Sequence, residues 1–218
     1  MKKQLGNLTV SSLSMIAILL CASCLQDDAI APQAETTPRT TIGTGGFSLW
    51  TTCGSNAYVS GSSIVVPIGT GCSNKVNAAQ AYNSIYGSNW YCNANIAGGS
   101  GASSSASEMA IFTCDNVSSW NGNEMGFVRT LNDGVLKAYL QGGGQYIYTT
   151  VSAGSSYKCS ATSAHSVDFY VNEGYRTSLT NNSGWYQNRN YYFVATNHYY
   201  GGGNPASWAI TFSNANVW

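Results

Sequence analysis

Between Ala164 and Leu179 the chain reads His165-Ser-Val-Asp-Phe-Tyr-Val171, then Asn172-Glu-Gly174, then Tyr175-Arg-Thr-Ser-Leu179. Val167, Phe169 and Val171 alternate with Ser166, Asp168 and Tyr170, the two-residue period of a strand with one buried and one wet face. Asn-Glu-Gly is a short turn in which Gly174 offers a positive φ at least cost, so the two runs predict a hairpin. The same period recurs along the chain. It predicts strands near residues 47–50, 63–68, 89–96, 108–113, 124–129, 135–140, 145–151, 191–196 and 207–212, with Trp208, Ile210 and Phe212 pointing inward. Asn132-Asp133-Gly134 and the glycines at 142–144 mark tight turns between neighbouring runs. Residues 76–86 fit two readings, a helical turn through Ala78, Ala79 and Ala81 or a strand through Tyr82, Ile85 and Tyr86. About a dozen short strands with no covering helix predict an all-β fold, an antiparallel sandwich.

Composition supports that class and narrows the partners. Charged residues make up only 8% of the chain, while Gly and Tyr alone number 24 and 15. Such a mixture is poor in the Leu, Glu and Lys that helices favour. No basic patch exists, so nucleic acid is not an expected partner.

The first residues read as a targeting segment. Lys2 and Lys3 precede the apolar run Met15-Ile-Ala-Ile-Leu-Leu20, which is too short to span a bilayer as a helix. Cys21-Ala22-Ser23-Cys24 resembles a bacterial lipobox, with Cys21 where such boxes usually carry Leu. Asp27 and Asp28 after it resemble a surface-export signal. The expectation is a signal peptide over 1–23, lipidation at Cys24, a flexible Pro- and Thr-containing tether over 24–45, and a single domain over 46–218. The rival is an ordinary secretory signal. Either one makes the protein exported, to the bacterial cell surface or outer membrane or beyond it, with a lipid anchor as its sole link to a membrane.

Export predicts oxidised cysteines. Cys53 with Cys72 and Cys92 with Cys114 are the favoured local pairs, each closing a loop of about twenty residues and contributing roughly 3 kcal/mol on the chain-entropy model. Cys114 with Cys159 is the rival pairing. The folded part has no CxxC and only His165 and His198, so no metal is expected, and no cofactor motif is present.

In the C-terminal half a strand Glu124-Met-Gly-Phe-Val128 is followed by Asp133-Gly-Val-Leu-Lys-Ala-Tyr139, the Val167–Val171 hairpin strand, Tyr192-Phe-Val-Ala195 and a last strand near the terminus. In this order of pieces the chain resembles the concanavalin A-like lectin/glucanase superfamily over about 122–218. The resemblance implies a jelly-roll β-sandwich and a glycan or polysaccharide partner. It does not choose among lectins, binding modules, hydrolases and lyases. The Glu-x-Asp-x-x-Glu strand expected of a laminarinase-like member is missing. Tyr192-Phe-Val-Ala-Thr-Asn-His198 is similar to the Tyr-Phe-Lys-Ala-Gly-Val-Tyr strand of jelly-roll alginate lyases, with Val194 in place of Lys, but the family's Arg-x-Glu-x-Arg and Gln-x-His strands are missing too.

Three classes of function stand open. The leading expectation is a non-catalytic, lectin-like carbohydrate-binding protein using Tyr139, Tyr170, Trp185, His198, Tyr199 and Tyr200, because ring faces stack on sugar C–H surfaces and polar tips bond hydroxyls. The second is a glycoside hydrolase or polysaccharide lyase using Glu124, Asp168 and His198, with Glu108 among the likelier carboxylates. The third is a structural adhesin or filament subunit.

Overall fold

The structure is a computed structural model that describes residues 40–51, 57–67, 77–82, 89–97, 102, 107–115, 122–182, 191–199 and 208–218. In chain order the described strands begin with β1 (Thr40–Ile42), β2 (Ser48–Thr51), β3 (Tyr58–Ser60), β4 (Ser63–Pro67) and β5 (Asn77–Tyr82). Next come β6 (Trp90–Ala97), β7 (Glu108–Cys114), β8 (Glu124–Thr130), β9 (Leu136–Gly142) and β10 (Gln145–Thr150). The last are β11 (Ser156–Ser163), β12 (Ser166–Val171), β13 (Gly174–Thr180), β14 (Tyr192–Tyr199) and β15 (Ala209–Val217).

They form two antiparallel sheets of a concanavalin A-like jelly-roll sandwich. The eight-stranded sheet has the order β13-β12-β11-β6-β15-β4-β3, with β1 added on β15, and the seven-stranded sheet has the order β10-β9-β8-β7-β14-β5-β2. Among the described residues no α-helix occurs, and the one helical turn is the 3₁₀ segment Thr44–Gly46. Within the ambiguous stretch the described residues, Asn77–Tyr82, form a strand, β5, paired with both β14 and β2. Within the stretch read as a tether, Thr40–Ile42 pairs with Ala215–Val217 of β15.

Alternation along each strand sends one set of side chains between the sheets. Trp90 from β6 meets Phe127 of β8 and Phe193 of β14 edge-on, at centroid distances of 6.0 and 5.4 Å. Phe127 also contacts Phe169 edge-on at 5.6 Å, so aromatic rings from both sheets interlock in the geometry their quadrupoles favour. The buried indole N–H is satisfied by the Met125 carbonyl of the opposite sheet, 3.3 Å away. Ile210 and Phe212 are buried as expected, and Trp208 packs half-buried against the core.

The hairpin of β12 and β13 forms, but its turn differs from the expected one. Positive φ falls on Asn172 (53°) and Glu173 (63°), not on Gly174, which opens β13. A two-residue loop needs positive φ at both central residues to match the twist of the strands, and Asn is among the residues that tolerate it best. Asn172 is further fixed because its Oδ1 accepts the Ser155 and Ser156 backbone N–H groups, at 2.8 and 3.3 Å.

The expected pairing of Cys92 with Cys114 is corrected. Both are buried thiols, as is Cys159. Cys92 and Cys159 belong to the cluster between the sheets, whereas Cys114 belongs to the cluster on the other face of β7, so a layer of the sandwich separates it from either. Cys53 and Cys72 lie outside the described residues.

Candidate active site on the outer face of the seven-stranded sheet

Because Met109, Ile111, Met125, Phe127, Ala138, Leu140 and Phe193 pack into the core, their neighbours along β7, β8, β9 and β14 face the other way. Register then lines up rows across the outer face. One runs Val194, Phe112, Gly126, Tyr139 and Tyr148; beside it runs Cys114, Glu124, Gln141 and Tyr146. Ala110, Phe112, Cys114, Val128, Tyr139 and Val194 form a second buried cluster on this face. Any carboxyl group set among them is drawn out of water.

Two carboxyl groups are. Glu124 opens β8 with 6% of its surface exposed, and the Tyr139 hydroxyl donates to its Oε2 at 3.1 Å. Burial pushes the Glu124 pKa up to about 8; the Tyr139 hydrogen bond opposes the rise, and the charges of Glu108 and Asp115 add to it. Glu108 opens β7, and burial pushes it up to about 7 against the pull of Lys137. Asp115, one residue past β7, accepts from the backbone and side-chain amides of Asn123, both at 2.7 Å.

A tyrosine ladder leads away from the carboxyls to the sheet edge. Tyr139 and Tyr146 lie 5.4 Å apart with their planes 34° from parallel, and Tyr146 and Tyr148 repeat this at 5.4 Å and 39°. Tyr146 and Tyr148 expose 44% and 52% of their surfaces. The Lys137 ammonium caps the Tyr148 ring at 4.8 Å. The phenol of Tyr146 is pushed up by burial first and then by both Glu108 and Glu124, so it lies within reach of each. Thr196, beside Ala110 in register, contributes a buried hydroxyl without a hydrogen-bond partner.

The residues expected to act together are divided. Glu124 and Tyr139 lie on this face. Asp168 and Tyr170 lie on β12, half-buried on the outer face of the other sheet, where Lys158 sits over the Tyr170 ring at 4.8 Å. Asp168 therefore shares no site with Glu124. Tyr139, expected to stack on sugar at the surface, is 3% exposed and engaged by Glu124. His198 falls at the register position beside Glu108, and Tyr199 beside Asn77; Trp185 and Tyr200 lie outside the described residues. Glu108 was among the likelier carboxylates in the sequence, whereas the Tyr146–Tyr148 ladder was absent from the chosen contacts. Their signal was present in the alternation, which gives Glu108 and Glu124 the same outward parity once β7 and β8 are paired. Among the described residues no group of three His, Cys, Asp or Glu is placed to hold a metal ion.

No protein-family model matches the chain, and no curated protein sequence matches it. Solved structures do. A GlcNAcα1-4Gal-releasing endo-β-galactosidase from Clostridium perfringens matches with a TM-score of 0.60 at 10% identity, over 86% of this chain; the chain spans 64% of that structure's length. A prokaryotic β-1,3-1,4-glucanase (lichenase) from a mouse hindgut metagenome matches with a TM-score of 0.58 at 8% identity, over 83% of this chain and 98% of its own. An endo-1,3-β-glucanase from Streptomyces sioyaensis matches with a TM-score of 0.55 at 9% identity, over 81% and 90%. At such identities the likeness establishes the fold. These neighbours are glycan-cleaving enzymes, and the leading expectation of a non-catalytic lectin-like protein is corrected accordingly.

Proposed function

We propose that the chain is a glycoside hydrolase acting on a polysaccharide laid across the outer face of the seven-stranded sheet. The observation that carries this reading is the placement of a buried carboxyl, Glu124, and a half-buried one, Glu108, on one sheet face beside a half-exposed tyrosine ladder. Glycosidic cleavage needs one carboxyl that holds a proton and one that is ionised. With pKa values of about 8 and about 7, Glu124 is the proton donor and Glu108 the carboxylate. Tyr146 and Tyr148 offer ring faces to sugar C–H surfaces.

Spacing bears on the mechanism. Cys114 is the residue opposite Glu124, and it lies six positions along β7 from Glu108. At roughly 3.3 Å per residue the two backbones are about 20 Å apart, so the side chains must lean together to interact. The backbone spacing exceeds both the about 5–5.5 Å between carboxyls of a retaining enzyme and the about 6.5–9.5 Å of an inverting one, so the anomer of the product decides between the two. β7 itself reads Glu108-Met-Ala110-Ile-Phe-Thr113. β7 therefore does not carry the laminarinase-like Glu-x-Asp-x-x-Glu.

The test is product release from a panel of neutral and acidic polysaccharides, with the anomer followed by NMR. Glu124→Gln and Glu108→Gln are each expected to lower kcat/KM by about 10²- to 10⁴-fold, and Asp168→Asn to leave it unchanged. The pH profile of kcat/KM should be a bell, rising through about 7 as Glu108 ionises and falling through about 8 as Glu124 loses its proton. Undiminished turnover by both Gln variants would sink the assignment.

A further inference from the structure

We propose that Tyr139 is the positioning residue for Glu124: its buried hydroxyl holds Oε2 as an acceptor and so leaves Oε1 as the oxygen that carries the transferable proton. The inference rests on the reading of Glu124 as proton donor and goes beyond it by naming what orients the acid.

The geometry is a fixed donor against a fixed acceptor. Tyr139 is 3% exposed, its ring held between Phe112 at 6.3 Å and Tyr146 at 5.4 Å. Gly126 stands between Phe112 and Tyr139 in register, and a side chain there would meet the Ile111 carbonyl and Phe112 Cβ inside contact distance. The missing side chain is thus what lets the two rings close over β8. Burial and the nearby carboxyls keep the Tyr139 phenol protonated well above its ordinary range, so its O–H remains a donor throughout the pH range of interest. A protonated carboxyl has one carbonyl oxygen and one hydroxyl oxygen, and an external O–H donor selects the carbonyl oxygen as its acceptor.

In the proton-transfer step the Oε1–H bond breaks and a bond from that hydrogen to the glycosidic oxygen forms. The electron pair of the anomeric carbon–oxygen bond goes to the departing oxygen, and Glu124 is left as a carboxylate. The hydrogen bond from Tyr139 then runs to an ionised acceptor and strengthens as the proton leaves. The other groups that face Glu124 are Glu108, Cys114 and Asp115 from β7 and its end, Gln141 from β9 and Tyr146 from β10. The charges of Glu108 and Asp115 oppose ionisation of Glu124, which leaves Tyr139 as the group shown to favour it.

Tyr139→Phe keeps the ring and removes the hydroxyl. Carboxyl ¹³C NMR of Glu-labelled protein, with the Glu124 signal assigned by its loss in Glu124→Gln, should show Glu124 titrating at higher pH in Tyr139→Phe. Difluorotyrosine at position 139, a more acidic and stronger donor of nearly the same shape, should move the titration to lower pH, and it carries the test should the Phe variant fail to fold. On a cleaved glycan, Tyr139→Phe should lower kcat about 10- to 100-fold with KM unchanged, and the alkaline limb of the profile should follow the NMR titration upward. A Glu124 titration that stays put in both variants, or a loss confined to KM, would overturn the positioning role. Titrations that move as expected in a protein that cleaves no glycan would uphold that role and overturn the hydrolase reading.

Discussion

The two outer faces of the sandwich are made by one alternation and stocked with the same kinds of residue, yet they are chemically unlike. On the eight-stranded sheet, register sets Tyr91, Lys158, Tyr170 and Tyr175 in a row across four strands, with Asp168 beside it. Tyr175 is 57% exposed there, and the Asp168 carboxylate is half-buried, with the Tyr170 hydroxyl 3.5 Å away. On the seven-stranded sheet the outer face carries buried Phe112, Val128 and Val194, where the other outer face carries Ser160, Asn93 and Thr211, and burial among the former raises the pKa values of the Glu108 and Glu124 carboxyls. Apolar neighbours convert an ordinary surface carboxylate into a group that holds a proton near neutrality, because burial disfavours the charged form. What separates a candidate catalytic face from a decorated surface is thus the company each carboxyl keeps.

The difference can be broken most forcefully through pH. A carboxyl with a raised folded pKa binds its proton more tightly in the native than in the unfolded state. Near pH 4.3 and below, both states hold the proton; above that the unfolded chain releases it first, and stability falls until pH passes the folded values of about 7 for Glu108 and about 8 for Glu124. Stability should therefore decline from about pH 4 to about pH 8, with an upper bound of roughly 4–5 kcal/mol from Glu124 at about 1.4 kcal/mol per pKa unit. Urea midpoints measured across this interval should drop in the native sequence and drop less in Glu124→Gln. Midpoints that stay flat or climb with pH would show that neither carboxyl holds its proton above the ordinary carboxylate range, and the contrast between the faces would vanish.

A smaller effect sharpens the same contrast at the backbone. Gly126 sits under the ring contact that seats Tyr139, where an added Cβ has no room. Gly126→Ala should destabilise by about 1–3 kcal/mol through overpacking. Gly144, at the tip of the β9–β10 hairpin, has open space around it but a φ of +76°, so Gly144→Ala should cost about 1 kcal/mol through backbone strain alone. Denaturant midpoints of the two variants measure the gap, and equal losses would argue that the ring contact over β8 is loose.

The fold was legible because period-two alternation is a local property. Val167, Phe169 and Val171 announce their face without reference to any other strand, and Ile210 with Phe212 does the same at the other end of the chain. The site was legible only in part, because it depends on pairing. Nothing in the residues around Asp168 reveals that β12 belongs to the sheet opposite β8, and so Asp168 and Glu124 were grouped by parity alone. The cysteines failed for the same reason: Cys92 and Cys114 are near in sequence, but β6 and β7 lie in different sheets, and Cys92 faces the layer between them while Cys114 faces away from it. Gly174 was chosen for the hairpin's positive φ by its lack of a side chain, whereas loop length placed that requirement on Asn172 and Glu173.

The finest test of the contrast uses one tyrosine from each face. Tyr148 and Tyr175 are exposed to nearly the same degree, 52% and 57%, so composition and accessibility cannot tell them apart. Tyr148 differs by standing at the end of a ladder that begins at Glu124, with its ring ordered by Tyr146 on one side and the Lys137 ammonium at 4.8 Å. A ring already ordered loses little freedom on binding, so its contact with a sugar appears as affinity. Tyr148→Ala should raise KM for a cleaved polysaccharide by about 2- to 10-fold, matching the roughly 0.5–1.5 kcal/mol of one aromatic contact, with kcat nearly unchanged. Tyr175→Ala should leave both constants where they were. If Tyr175→Ala raises KM instead, the polysaccharide runs over the eight-stranded sheet, and the face bearing Glu108 and Glu124 is not where it binds.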